Sequence, residues 1–287
     1  MLRLTVIAAC GLLWAMPARA QGIPIVAAEN FYADVARQIG GSGVRVTSIL
    51  SNPDQDPHLF EVSPAVARAV SGARIVAYNG ADYDPWMEKL LTAARAGQRR
   101  VIVVADLVGR KSGDNPHIWY DPRTMEAFAH ALADALTAED AGHKGDYQQR
   151  LARFEASLLP IDTKITALRQ RLAGTPATAT EPVFGYMFAA LGMEVRNQRF
   201  QLAVMNNTEP SAAEIAAFEN DLRTHAVKLL VYNNQASDPI AIRMERLAHA
   251  SHIPVIGAAE TEPPGKTWQE WMMAELDAID KALPAKP

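Results

Sequence analysis

The sequence predicts an α/β protein of two lobes, each a mainly parallel sheet flanked by helices, joined by one long connector helix. Three observations carry this. In the first half, short β-rich apolar runs alternate with amphipathic helical runs, the pattern of a parallel sheet covered on both faces. The same alternation resumes beyond Gly174. Between them lies a helical stretch of about 35 residues, about 50 Å at the usual rise, long enough to cross a whole domain.

The elements follow in order. Ile23 to Ala27 reads as a strand, and Asn30 to Ile39 as a helix stopped by Gly40-Gly41. Val44 to Leu50 alternates as a strand. Ser63-Pro64 opens a helix, serine as cap and proline in the first turn, that ends near Gly72. Arg74 to Tyr78 and Val101 to Ala105 are short apolar strands, with helices over Asp84 to Ala96 and Pro122 to Leu136. Thr137-Ala138-Glu139-Asp140 resembles a capping box and is taken as the start of the connector, which runs to about Leu172. Pro160 inside it is expected to bend or split it. Thr175 to Thr180 (TPATAT) reads as a loop. Helices follow over Pro182 to Leu191, Ser211 to Thr224 (Glu214 completing the cap), Asp238 to Ala250 and Trp268 to Leu283. Strands are expected at Lys228 to Tyr232 and Ile253 to Gly257. The division is a signal peptide at 1–20, an N-terminal lobe at 21–136, the connector at 137–173 and a C-terminal lobe at 174–287.

The first twenty residues stand apart. MLR supplies positive charge, LTVIAACGLLWAM is an apolar run too short to span a bilayer comfortably, and Pro17-Ala18-Arg19-Ala20 ends in a small-x-small pattern. Cleavage after Ala20 and export to the periplasm are expected, with no membrane insertion of the mature chain. Ile7-Ala8-Ala9-Cys10 resembles a lipoprotein box, but too little apolar sequence precedes it, so anchoring through Cys10 is the lesser alternative. Cys10 is the only cysteine. The mature chain therefore excludes disulfides, thiolate metal sites and a cysteine nucleophile. Hydrophobic residues at 49% and charged residues at 21% are ordinary for a globular chain. The net charge of −4 gives no basis for binding nucleic acid, and a monomer is expected.

Two Pro-His pairs need explaining. Asp56-Pro57-His58-Leu59-Phe60-Glu61 and Asn115-Pro116-His117-Ile118-Trp119-Tyr120-Asp121-Pro122 are both extended, proline-stiffened loops. A single loop histidine is usually just a solvated side chain. Here both loops follow strands, and open parallel sheets bind ligands at the carboxyl ends of their strands. Two neutral imidazoles make half of a four-ligand site for a divalent ion. Candidates for the rest are Glu181, Glu260 and Glu262, at expected strand or helix ends of the second lobe. Taken singly, Glu181 would only complement a helix dipole, and Glu260 and Glu262 would be a solvated acidic loop. His130 and His143 fall in helical patterns, His225 at a helix end, and His249 and His252 near a turn; these are weaker candidates.

These motifs resemble the cluster A-I solute-binding proteins that serve manganese, zinc and iron ABC importers. The two Pro-His segments are similar to that family's first and second ligand loops. Ser63-Pro64, Tyr78-Asn79-Gly80 and Pro85-Trp86 match the elements between them. The long helix resembles the family's connector, and Glu181-Pro182-Val183-Phe184-Gly185-Tyr186 its third ligand segment. The resemblance implies a metal site in the interlobe cleft with His58, His117 and Glu181 as ligands. The fourth ligand, usually an aspartate after a late strand, falls where this chain carries glutamates. Glu260, nearer the strand end, is the choice and Glu262 the alternative. The His-rich loop of many zinc-specific members is absent. Two imidazoles and two carboxylates suit manganese or ferrous iron, while intrinsic affinity favours zinc. The expected cargo is Mn2+ or Zn2+, with Fe2+ a third option, and the expected partner a membrane permease of an ABC importer. Two other classes stand beside this: a secreted metallohydrolase using the same ligands, which would need an open coordination position, and an adhesion protein with a structural metal.

Overall fold

A computed structural model of the chain describes residues 22–53, 60–94, 98–235 and 238–285. The first half builds β1 (Ile23–Glu29), α1 (Asn30–Gly40), β2 (Val44–Leu50), α2 (Pro64–Gly72), β3 (Ile75–Tyr78), α3 (Pro85–Ala93) and β4 (Arg100–Val103). All pairings are parallel, in the order β2-β1-β3-β4. Then come α4 (Val104–Leu107), α5 (Thr124–Glu139) and α6 (Lys144–Leu172). The second half builds β5 (Pro176–Ala179), α7 (Gly185–Ala190), β6 (Glu194–Val195), α8 (Gln198–Met205), α9 (Ala212–Arg223), β7 (Leu230–Asn233), α10 (Pro239–Ala250), β8 (Val255–Ala258) and α11 (Trp268–Ala282). Its sheet is also parallel, in the order β6-β5-β7-β8.

Both strand orders reverse once, between β1 and β3 in the first sheet and between β5 and β7 in the second. At such a switch point the flanking connections leave on opposite faces, opening a crevice beyond the strands' carboxyl ends. The first crevice is edged by Glu29 and Asn79, the second by Glu181 and Asn233.

Three expectations are corrected. Thr175 to Thr180 is not a loop: β5 occupies its centre and is an inner strand. A strand buried on both faces has no polar alternation to betray it, and Pro176 at its first residue lacks only a donor that the strand's interior does not need. Thr137 does not start the connector. It lies inside α5, its hydroxyl donating to Ala133 O at 2.8 Å. The break comes at a 3-10 turn over Ala141–His143, so α6 has 29 residues. Pro160 does not split α6. It sits on the exposed face, where water can satisfy the carbonyl its ring frees.

The buried face of α6 carries Tyr147, Phe154, Leu158, Ile161, Ile165, Leu168 and Leu172, a stripe at helical spacing. That stripe joins one apolar core running under both sheets, from Ile25 and Phe31 through Trp119 to Val231 and Trp271. Aromatic rings cross between the lobes: Tyr120 lies 4.9 Å from Phe184 and 5.5 Å from Trp271, centroid to centroid. A polar seam runs beside them along one face of α1, at every fourth residue. Asn30 Nδ2 donates to Glu262 O at 2.7 Å and Asn30 Oδ1 accepts from Glu262 N at 2.9 Å. Asp34 accepts from Trp268 N at 3.0 Å, and Gln38 and Gln269 exchange amide hydrogen bonds at 2.9 Å.

Candidate metal centre

His117 is fully buried. Between its prolines the chain makes a tight 3-10 turn over Ile118–Tyr120, too constrained to swing the imidazole outward. Asn79 at the end of β3 holds this loop, donating from Nδ2 to Pro116 O at 2.8 Å, while its Oδ1 accepts from Tyr32 OH at 2.8 Å. Gly80 next to it has φ 76°, and a Cβ there would meet Val103 Cγ1 at 2.7 Å, so this turn requires glycine.

Asn115 sets the ring. Its Nδ2 donates to Pro182 O at 2.8 Å, which identifies the oxygen as the atom facing His117. That Oδ1 lies 2.7 Å from His117 Nδ1 and accepts from His117 N at 3.1 Å. A carbonyl oxygen can only accept, so Nδ1 carries the proton and Nε2 presents its lone pair. Nε2 points toward Glu260 Oε2, 3.6 Å away.

Glu181 follows β5 and Glu260 follows β8; their side chains are 4% and 0% exposed. Asn233, at the end of β7 between these strands, joins them. Its Nδ2 donates to Glu181 Oε2 at 3.2 Å and to Glu260 Oε1 at 2.5 Å. Gln235 fixes the other side, its Oε1 accepting from Glu260 N at 2.6 Å. The buried Tyr83 hydroxyl is near Glu260; burial first, and then the charges of Glu260 and Glu29, push its pKa well up. His117, Glu181 and Glu260 thus meet in one buried place between the sheets.

Glu262 is turned elsewhere. Burial pushes its carboxyl up to about 9, and the charges acting on it are those of Asp34, Arg37 and Glu270, on the α1 and α11 side. His58 falls at 54–59, outside the described residues. Just beyond that segment Phe60 packs on Trp86, with ring centroids 4.7 Å apart. The other described histidines are all exposed. His130 Nε2 pairs with Glu155 Oε1 at 2.8 Å, His143 with Asp140 at 2.7 Å and His249 with Glu245 at 3.8 Å. With Glu126, the first pair makes a surface group of donor atoms within 4.8 Å of one another.

Two functional features escaped the sequence reading. One is the Asn233 bridge. The other is a buried acid pair at the first switch point, Glu29 and Asp84. Asp84 accepts from the backbone N–H groups of Asn79 at 2.7 Å and Gly80 at 2.8 Å. Burial raises it to about 6, while the neighbouring Glu29 carboxyl and these two N–H groups hold it back. Burial, followed by the Asp84 charge, drives Glu29 well above the carboxylate range, so of the two acids Glu29 holds its proton to the higher pH.

His117 Nε2, from a loop of the first lobe, and Glu260 Oε2, from a strand end of the second, face one another at 3.6 Å, and Glu181 is joined to Glu260 through Asn233. A four-coordinate ion with donors at about 2.0–2.1 Å sets them about 3.3 Å from one another, close to the separation of His117 Nε2 and Glu260 Oε2. No helix among the described residues is long and apolar enough to cross a membrane. The fold is that of the periplasmic zinc-binding protein TroA from Treponema pallidum, with a TM-score of 0.76 at 20% identity over 91% of this chain and 99% of that one. Among curated proteins, the chain is 22% identical over 290 residues to the manganese ABC transporter substrate-binding lipoprotein PsaA of Streptococcus mitis, covering 93% of this chain and 91% of that protein. It is 23% identical over 297 residues to the iron ABC transporter substrate-binding lipoprotein MtsA of Streptococcus pyogenes serotype M1, covering 96% and 93%. The family model for ZnuA, zinc-uptake complex component A, periplasmic, matches residues 25–282, and the chain belongs to that family.

Proposed function

We propose that the protein captures one divalent transition-metal ion outside the cytoplasm, Mn2+ or Zn2+ with Fe2+ as a third option, and presents it to the membrane permease of an ABC importer. The ligands are His58, His117, Glu181 and Glu260. The observation that carries this reading is the approach of buried His117, from a loop of the first lobe, to buried Glu260, which Asn233 links to Glu181 at the strand ends of the second. The relatives, which carry manganese, iron or zinc in their names, support it. Four protein donors leave no position for a reacting water, so the site is a carrier and not a hydrolytic centre. The protein acts as a monomer and has no nucleic-acid partner.

The test is a calorimetric titration of metal-stripped protein with Zn2+ and Mn2+, repeated on His117→Ala and Glu260→Ala. The expected result is one ion per chain and a loss of affinity in both variants. Wild-type protein that takes up neither ion would overturn the reading.

A further inference from the structure

Asn233 belongs to no motif, yet it touches two of the proposed ligands at once. Its Oδ1 accepts from Gln235 N at 3.0 Å, which turns Nδ2 toward the carboxylates, and its backbone N donates to Thr180 Oγ1 at 3.2 Å. The side chain is 5% exposed and cannot swing away into water. One amide group has two hydrogens, and each goes to a different carboxylate, Glu181 Oε2 and Glu260 Oε1.

We propose that Asn233 is the specificity-determining positioning residue of the site: its amide clamps one oxygen of each glutamate and so makes both bind the ion through a single oxygen, selecting a four-coordinate, zinc-like cargo over manganese. This rests on the reading of Glu181 and Glu260 as ligands. An oxygen that accepts a hydrogen bond has part of its charge and one lone pair committed, which weakens and misdirects it as a metal donor. Coordination then runs through Glu181 Oε1 and Glu260 Oε2. The second of these is the oxygen that faces His117 Nε2. With one oxygen from each glutamate, the four proposed ligands give a coordination number of four, the usual number for zinc. Manganese favours larger oxygen-rich shells, which would need both oxygens of at least one glutamate. The donor set alone left the preference open; the clamp closes it.

The experiment uses Co2+ as a geometric reporter, because its visible absorption is intense in a four-coordinate site and weak in a six-coordinate one. Full-length mature protein, Asn233→Ala and Asn233→Asp are loaded with Co2+, and Zn2+ and Mn2+ affinities are measured in parallel. Asn233→Asp keeps the shape while losing both donors, so it serves if the alanine variant fails to fold. The expected results are an intense wild-type spectrum, a weaker one in the folded variants, and a zinc-over-manganese ratio that drops by about tenfold or more. A weak wild-type spectrum overturns the proposal by itself, as does a variant with the wild-type spectrum and ratio. Wild-type protein that binds none of the three ions instead removes the metal reading on which the proposal stands.

Discussion

Replacing Asn115 by alanine removes three side-chain hydrogen bonds: the donation to Pro182 O at 2.8 Å and the two contacts of Oδ1 with His117, at 2.7 Å to Nδ1 and 3.1 Å to N. At about 1 kcal/mol for each buried bond, the metal-free protein loses about 2–4 kcal/mol of stability. The bond from Tyr186 OH to Asn115 O, at 2.7 Å, is made to the backbone and survives. A second loss falls on binding alone. Without the Nδ1 partner the imidazole no longer has a fixed tautomer or ring angle, and removing such a partner costs about 10- to 100-fold in metal affinity. Thermal melting in chelator reads the first effect and competitive titration with Zn2+ the second. Asn115→Asp separates them further: it restores an acceptor behind His117 and recovers affinity, but sets a carboxylate against the Pro182 carbonyl and does not recover stability. A normal affinity in Asn115→Ala, with a lowered melting point, would refute the assignment of Asn115 as the group that aims His117.

Other consequences can be measured directly. Glu29→Gln removes a carboxyl whose pKa burial and the Asp84 charge raise well above its unfolded value, so its contribution to stability is full below about pH 4 and is lost as pH rises through the raised folded value. Melting curves of the variant should show a shallower fall and greater stability at pH 8; a steeper fall would contradict the pairing. Tyr120→Phe strips Ala259 of a hydroxyl that donates to its O at 2.9 Å and accepts from its N at 3.3 Å, and should cost about 1–3 kcal/mol in thermal unfolding together with weaker metal binding through the adjacent Glu260. Because the lobes share a core, small-angle scattering should give nearly the same radius of gyration with and without Zn2+; a contraction of hinge-bending size would count against it.

Much of the fold was legible because its signals are local. Ser63 accepts from Val66 N as the cap-proline pair implies, and Ser211 with Glu214 forms a complete capping box. The strand β2 has the expected bounds. What stayed hidden depends on distant chain. Nothing local says that TPATAT lies between β6 and β7, where small side chains are covered on both faces. Thr137 carries a start signal, but the apolar spacing of Ala129, Leu132, Ala133 and Leu136 continues one helix through it. In the candidate site, prolines and strand ends picked out His117 and Glu181. Nearness to the strand end favoured Glu260 over Glu262, while the direction each side chain faces is set by a short turn that leaves no local pattern. Asn233 and the Glu29–Asp84 pair were invisible, because a hydrogen bond between residues far apart in sequence leaves no pattern along the chain.

The seam along α1 has a consequence for how the molecule comes apart. Asn30, Asp34 and Gln38 tie one short helix of the first lobe to a loop and helix more than 200 residues away, where Glu262 and Gln269 are the partners. Amide hydrogens in β1 and in α11 should therefore exchange with solvent through one common opening event, and the two halves should unfold as a single cooperative body, with neither outlasting the other.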